Sequence, residues 1–206
     1  MTSDKNTQKG LYIKNFGCQM NVYDGDRMQE MMSSHNYDSV NSVEDADLVI
    51  LNTCHIREKA TEKIYSELGR IKKNISGKKE KTIVAVAGCV AQAEGEELVK
   101  RAPIIDLVFG PLTYHHLPDI LQSFENDNLN KKKAIVDIEP PNEDKFTELP
   151  KRLKDNRAIS AFLSVQEGCD KFCTFCVVPY TRGVETSRSF LEIKDEANQL
   201  ISTGVQ

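Results

Sequence analysis

The chain has 206 residues, 39% of them hydrophobic and 28% charged, which is an ordinary composition for a globular protein. Its net charge of -4 excludes a strongly basic surface over the whole chain, so RNA affinity must come from a local patch or from residues outside it. No apolar run approaches the roughly 20 residues of a membrane span, and the polar start "MTSDKNTQKG" does not resemble a signal peptide. These features predict a cytoplasmic protein with no membrane partner.

The first part of the chain alternates strand and helix patterns. Strands are predicted at 11–16, 47–52, 82–87 and 106–110, each a short apolar run. Apolar residues at helical spacing follow each strand: Met28, Met31 and Met32; Ala60, Ile64, Leu68 and Ile71; Leu98 and Val99; and Leu117, Ile120, Leu121 and Phe124. This alternation predicts an α/β fold, a parallel sheet with helices on its faces, over residues 9–126.

The remainder divides into a connection and a second unit. Residues 127–157 are polar and contain three prolines, which is typical of an interdomain linker. A strand is predicted at 158–166, then a cysteine-rich loop. A last helix is predicted to begin near Ser189, whose spacing to Glu192 fits a capping box, and to end near Gly204. The second unit therefore covers residues 158–206.

Three of the six cysteines each follow a predicted strand. Cys18, Cys54 and Cys89 lie in "NFGCQMN", "LNTCHIR" and "VAGCVAQ". Because parallel strands end at the same edge of a sheet, where open α/β sheets bind ligands, we expect the three thiols to converge there. The alternative is three unrelated buried cysteines, since free cysteine packs well as a small apolar residue.

The other three cysteines share one loop. Cys169, Cys173 and Cys176 form a C-x3-C-x2-C pattern, without the fourth ligand that a closed zinc site or a fully ligated four-iron cluster requires. Three thiolates would leave one iron open for chemistry, and the nearby apolar residues are predicted to shield the cluster. The alternative is a non-catalytic binding module stabilised by zinc. A nucleotide-binding domain is disfavoured, because no G-x-G-x-x-G or P-loop pattern follows any strand.

The C-x3-C-x2-C spacing is that of the radical S-adenosylmethionine enzymes. Together, "FGCQMN", "NTCHIREKA", "AGCVAQ" and "GCDKFCTFCVVPYTRG" resemble the MiaB-type tRNA methylthiotransferases, from about residue 11 to the last residue. Such a fold would be an N-terminal parallel-sheet methylthiotransferase domain followed by the first strand-loop-helix unit of a radical S-adenosylmethionine (β/α) barrel.

The resemblance implies a reaction, its cofactors and its partners. Cys18, Cys54 and Cys89 would hold an auxiliary 4Fe-4S cluster involved in sulfur transfer. Cys169, Cys173 and Cys176 would hold a second 4Fe-4S cluster, whose vacant iron binds S-adenosylmethionine and yields a 5′-deoxyadenosyl radical. A methylthio group would be added to C2 of N6-isopentenyladenosine beside the tRNA anticodon. The expected partners are tRNA and an electron-donor protein, with the chain a monomer. A different modified adenosine or a ribosomal protein stays open as the target.

The chain departs from the family pattern in sequence and in length. Gly25 stands after Asp24 where the family usually has serine, and "RGVETSRS" is looser than the usual arginine-rich segment. A (β/α)8 barrel needs roughly 250 residues, whereas 49 residues follow position 157. We therefore expect a C-terminally truncated chain that does not catalyse the reaction alone.

Several other residues are weaker candidates. The RNA-contact candidates are better explained as solvated charges: Arg57, Lys59, Arg70, Lys131 to Lys133, Lys151, Arg152, Lys154 and Arg157. His115 and His116 are interpreted as residues at a helix start rather than metal ligands. Tyr180 and Arg182 closely follow Cys176, which makes a role near the cofactor a reasonable hypothesis.

Overall fold

The computed structural model describes residues 8–55, 58–78, 81–127, 133–141, 145–152 and 159–205. Six parallel strands form one sheet in the spatial order β2-β1-β3-β4-β5-β6. The strands are β1 Lys9–Phe16, β2 Tyr37–Ser39, β3 Leu48–Thr53, β4 Ile83–Gly88, β5 Leu107–Phe109 and β6 Ile135–Asp137. The helices around the sheet are α1 Gln19–Ser33, α2 Glu58–Ile75, α3 Cys89–Glu94, α4 Glu96–Arg101 and α5 Leu117–Asp127, with a 3-10 turn at Tyr114–His116.

The sheet is buried on both faces, as the continuous apolar strands require. Leu48 and Ile50 of β3 point to the face covered by α1 and α5, whereas Val49 and Leu51 point to the face covered by α2, α3 and α4. This follows from the alternation of side chains along a strand. The predicted α/β fold with a parallel sheet is confirmed. The short edge strand β2 was not predicted, since three residues are too few to show periodicity.

The segment predicted to be a linker contributes to the sheet. Strand β6 lies within it and pairs with β5, with Ile135 opposite Leu107 and Asp137 opposite Phe109. A single turn of helix, α6 Lys145–Glu148, follows further along. Leu149 packs against the core on the α1 side of the sheet. This part of the chain therefore packs on the N-terminal domain.

The second unit contains little regular structure before its last helix. Strand β7, Gln166–Glu167, pairs antiparallel with β8, Thr186–Ser187, and α7 Val178–Arg182 and α8 Phe190–Ser202 complete the unit. The prediction of a strand over 158–166 is wrong in extent, because no described strand lies beside residues 159–165 to pair with them. The capping box is confirmed: the Ser189 backbone N–H donates to Glu192 at 2.9 Å, and Ser189 Oγ accepts from Glu192 N–H.

The two units differ in how they bury apolar side chains. The hydrophobic cores are built by the sheet and its helices. The large hydrophobic side chains that are exposed among the described residues lie between Ile159 and Ile201. No helix in the described part of the chain is long and apolar enough to cross a membrane.

Candidate functional site at the carboxyl edge of the sheet

The site begins at the carboxyl ends of three neighbouring strands. Phe16 of β1, Thr53 of β3 and Gly88 of β4 lie side by side in the last row of the sheet. Cys54 and Cys89 come directly after this row, and Cys18 follows it by one further residue. The strand order also reverses between β1 and β3, which is the position where open α/β sheets form a ligand crevice.

Two glycines allow these loops to approach one another. Gly17 has φ +150°, and a Cβ there would collide with Cβ of Cys54. Gly88 has φ +86°, and a Cβ there would lie 2.5 Å from the carbonyl oxygen of Thr53. Only glycine suits such a close approach, so the two glycines are the local reason why Cys18, Cys54 and Cys89 share one edge.

Three asparagines form a hydrogen-bond network beneath the cysteines at this edge of the sheet. Cys18 Sγ donates to Asn21 Oδ1 at 3.3 Å, and Asn21 Nδ2 donates to Asn52 Oδ1 and to the Thr53 carbonyl, both at 3.0 Å. Asn52 Nδ2 donates in turn to Asn15 Oδ1 at 2.9 Å. Sequence reasoning missed this network, although an asparagine that ends the apolar run "DLVILN" was a usable signal.

The departure at position 25 belongs to the same network. A Cβ on Gly25 would lie 2.5 Å from Oδ1 of Asn15, so a serine here would displace the Asn15 amide. In this chain the glycine leaves Asn15 free to accept the hydrogen bond from Asn52.

The three thiols have different surroundings. Cys18 is the N-cap of α1, Cys89 is the first residue of α3, and Cys54 and Cys89 are 7% and 6% exposed. Burial raises the pKa of the Cys89 thiol, and the charge of Arg182 with hydrogen bonds from Thr181 and Arg182 opposes that rise. A sulfur anion at Cys89 therefore has a cation and a hydroxyl beside it, while bulk water is excluded.

The second triplet is built on a tight loop. The Cys169 N–H donates to the Gly183 carbonyl at 3.1 Å, and the Cys176 N–H donates to the Cys173 carbonyl at 2.9 Å. Gly168 has φ +75°, and a Cβ there would collide with the Val184 carbonyl, so the loop needs glycine at this position. Cys173 is exposed, whereas Cys169 and Cys176 are half-buried.

The apolar residues predicted to shield a cluster in this loop differ in exposure, and Val177, Val178 and Pro179 are half-buried. Phe175 is 94% exposed and Phe172 is also exposed. These two side chains belong to the exposed apolar residues between Ile159 and Ile201.

Helix α7 brings the two triplets together. Its N-cap, Val177, directly follows Cys176, and the helix packs against α3, which begins at Cys89. Thr181 and Arg182, at the far end of α7, lie near enough to the Cys89 thiol to lower its pKa. Because α7 has five residues, its length is about 8 Å at 1.5 Å per residue. The two cysteine sites are therefore separated by little more than one short helix.

Arg182 is held in place by buried acids. Its Nη2 donates to Asp24 Oδ2 at 2.6 Å, and its Nη1 donates to Glu167 Oε1 at 2.5 Å. Lys145 also pairs with Glu167, and its Nζ donates to the Pro111 carbonyl at 2.9 Å. The hypothesis of a role for Arg182 thus gains a specific location, beside Cys89. Tyr180 is largely exposed, and sequence reasoning missed Asp24, Glu167 and Lys145.

The remaining candidates fall into three groups. His116 Nδ1 lies 2.9 Å from Asp137 in the turn before α5, as expected for a structural residue, and Arg70 is an exposed partner of Glu67. Arg152 was predicted to be a solvated linker charge, but it is buried and pairs with Glu30 and Glu196. Lys133 and Lys151 are exposed. The side chains of the other candidate cations lie outside the described residues: Arg57, Lys59, Lys131, Lys132, Lys154 and Arg157.

The donor set can be compared with what a metal group requires. Among the described residues, no three cysteine, histidine, aspartate or glutamate side chains are arranged as ligands of one metal ion. The cysteines of a four-iron cluster bind different irons and stand further apart than the ligands of one ion. Three thiols at adjacent strand ends, two of them buried, provide the donor type that such a group requires. The loop triplet has the same all-thiol donor set.

The part of the chain that contains these cysteines matches known proteins in sequence. The model of "Uncharacterized protein family UPF0004" matches residues 10–110, which contain Cys18, Cys54 and Cys89. The chain is 54% identical over 203 residues to the tRNA-2-methylthio-N(6)-dimethylallyladenosine synthase of Bartonella quintana (strain Toulouse), covering 96% of this chain and 43% of that protein.

Two further synthases of the same name match equally well. The Roseobacter denitrificans protein is 54% identical, with 96% of this chain and 44% of the relative covered. The Cereibacter sphaeroides (strain ATCC 17023) protein is 55% identical, with 95% and 43% covered. The chain belongs to the family of these synthases. It spans less than half the length of the synthases it matches, and the matched part includes both cysteine triplets.

Proposed function

We propose that this chain provides the two iron–sulfur sites of a radical S-adenosylmethionine enzyme that methylthiolates tRNA. The name of its relatives supports the substrate and the reaction class. The observation that carries the proposal is the packing of α7 on α3, which sets the Cys169–Cys176 loop beside Cys89. A metal-stabilised binding module would have no need for two incomplete three-thiol sites one short helix apart.

Cys18, Cys54 and Cys89 would hold an auxiliary 4Fe-4S cluster. Burial of Cys54 and Cys89 keeps bulk water away from their sulfurs, and the asparagine network holds the Cys18 thiol toward the same edge. The charge of Arg182 opposes the rise that burial causes in the pKa of the Cys89 thiol. These residues would thus hold the group in a site of fixed shape.

Cys169, Cys173 and Cys176 would hold the second 4Fe-4S cluster, leaving one iron for S-adenosylmethionine. When bound, these groups supply a radical able to break an unactivated C–H bond and the sulfur and methyl to be transferred. The chain itself fixes the loop, through the Cys169–Gly183 backbone hydrogen bond and the positive φ of Gly168. Because α7 is anchored at both ends, the distance between the two sites is set by the protein.

The target is proposed to be C2 of N6-isopentenyladenosine beside the anticodon. Since tRNA is the proposed substrate, we place the chain in the cytoplasm, acting as a monomer with an electron-donor protein as partner. The residues that contact tRNA are not assigned.

The test is metal analysis of the 206-residue chain after anaerobic reconstitution. Iron, acid-labile sulfide and zinc are measured per chain, beside a Cys18→Ala, Cys54→Ala, Cys89→Ala variant and the matching Cys169→Ala, Cys173→Ala, Cys176→Ala variant. We expect about eight irons and eight sulfides, halved in each variant. Zinc without sulfide would overturn the proposal in favour of a binding module. If one variant loses all of its iron, only the triplet that is substituted in that variant assembles a cluster.

A further inference from the structure

The loop that carries the second cysteine triplet has an exposed tip and a buried base. Cys173, at the tip, is exposed. At the base, the side chains of Glu167 and Arg182 are 4% and 3% exposed. Glu167 lies just before Cys169 in the chain, and Arg182 lies a short helix after Cys176. The two charged residues therefore stand where the chain enters and leaves the loop.

A direct ion pair closes this base. Arg182 Nη1 donates to Glu167 Oε1 at 2.5 Å. Two backbone contacts lie beside it: the Cys169 N–H donates to the Gly183 carbonyl at 3.1 Å, and Glu167 is opposite Thr186 in the β7–β8 ladder. A hydrogen bond between two charged groups is stronger than one between neutral groups. The side-chain pair is therefore the strongest connection between the two ends of the loop.

Residues from earlier in the chain hold each member of the pair. Arg182 Nη2 donates to Asp24 Oδ2 at 2.6 Å, and Lys145 pairs with the other carboxylate oxygen of Glu167. Lys145 Nζ also donates to the Pro111 carbonyl at 2.9 Å, so its position does not depend on the loop alone. Two acids and two bases balance in this buried group, and each end of the loop has its own anchor on the sheet domain.

We propose that Glu167 and Arg182 are positioning residues that close the base of the loop and hold its three thiols in place before any metal group binds. The purpose of this arrangement rests on the function proposed above. A segment with an exposed tip has few buried apolar contacts that could order it. The order must therefore come from the base, and a site that is ordered in advance loses less conformational freedom when its ligand binds.

The experiment measures hydrogen–deuterium exchange of the apo chain, with its thiols reduced, by mass spectrometry of peptides. In Glu167→Gln we expect the peptide that contains the Cys169 amide to exchange at least tenfold faster, because that amide donates across the base of the loop. Glu185→Gln is the matched control. It removes the same charge from an exposed position next to the loop and should leave this exchange unchanged.

Two comparisons separate closure of the loop from a general loss of stability. The amides of β4, in the buried sheet, should be much less affected than the Cys169 amide, and an equal acceleration in both would overturn the proposal. Lys145→Met combined with Glu167→Gln removes one charge of each sign and leaves no buried cation unbalanced. This double variant covers the case in which Glu167→Gln does not fold, and unchanged exchange at Cys169 in it would also overturn the proposal.

A second measurement tests the consequence for the metal site. In the Cys18→Ala, Cys54→Ala, Cys89→Ala background, the reconstituted loop site should release iron to a chelator at least tenfold faster when Glu167→Gln, or the double variant, is added. An equal rate overturns the positioning role of the pair. If the background chain takes up no iron and sulfide, the proposed function fails at this loop, while exchange of the apo chain still decides whether the pair closes it.

Discussion

Arg182 and Asp24 are 158 residues apart in the chain, yet Nη2 of the arginine donates to Oδ2 of the aspartate at 2.6 Å. Both side chains are 3% exposed. The pair joins α1 of the sheet domain to α7 of the second unit, and Glu167 and Lys145 complete it. One buried group of four charges thus connects the two halves of the chain at the point where their cysteine sites meet.

We expect Asp24→Asn to destabilise the chain by about 3–5 kcal/mol, because it leaves buried cations without a balancing anion. The measurement is urea unfolding of the apo protein at neutral pH. Glu125→Gln is the matched control, since Glu125 forms an exposed pair with Lys9 and should change stability by less than about 1 kcal/mol. Equal losses in the two variants would show that burial of the Asp24–Arg182 pair has no energetic consequence.

Gly168→Ala should abolish the loop site and spare the edge site. The substitution places a Cβ against the Val184 carbonyl in a backbone of φ +75°, which the loop cannot accept without moving Cys169. Iron per reconstituted chain is expected to fall by about half. Gly69→Ala in α2 is the control, because a Cβ added there would meet no atom within 4 Å beyond the neighbouring backbone of its own helix, and it should stabilise the chain by about 0.5–1 kcal/mol. Full iron content in Gly168→Ala would contradict the assigned loop geometry.

Asn52→Ala is expected to cost about 1–3 kcal/mol, since it removes the hydrogen bonds that the buried Asn52 side chain makes with the Asn21 amide, the Asn21 carbonyl and Asn15. The variant should also loosen Cys18, which is held by Asn21. Unfolding by urea gives the first effect, and the rate of iron loss to a chelator from the edge site gives the second. Asn41→Ala, an exposed change, is the control. Faster iron loss in both variants would argue against the network.

The surroundings of the cysteines show which spatial relationships can be predicted from the sequence and which cannot. Strand ends are visible in sequence as apolar runs, and parallel strands share an edge, so the amino-acid sequence alone is enough to place Cys18, Cys54 and Cys89 together. It is not enough to place Arg182 beside Cys89, because that contact depends on how α7 packs on α3 across more than 90 residues of chain.

Helix α1 also combines a feature that the sequence predicts with one that it does not. Its methionines at positions 28, 31 and 32 predicted a helix, which is confirmed, and they lie in the hydrophobic core. Asp24 and Arg27 of the same helix carry charges, yet both are buried and bond to residues in the second half of the chain. A charge that is buried only through a distant partner carries no local signature, and Arg152 of the predicted linker was misjudged for the same reason.

The N-terminal cap of α8 makes the stability of the folded chain depend on pH in the acid range. Hydrogen bonds from the Ser189 side chain and backbone lower the pKa of Glu192. A lowered folded-state pKa stabilises the chain above the unfolded value near 4.5, and this contribution is lost as pH falls through the folded value. Ser189→Ala should therefore reduce stability at pH 7 more than at pH 3. An identical loss at both pH values, by thermal unfolding, would contradict the role of the cap.

We expect the 206-residue chain by itself to give no methylthiolated adenosine. The loop that holds Cys169, Cys173 and Cys176 lies on a surface where Phe172, Phe175 and Tyr180 are exposed, so a radical formed there would meet solvent rather than a closed pocket. The assay is mass spectrometry of nucleosides from isopentenylated tRNA incubated anaerobically with the reconstituted chain, S-adenosylmethionine and reductant. The Bartonella quintana synthase serves as the positive control. Product from the chain at a rate near that of the control would mean that these described residues already enclose a working site.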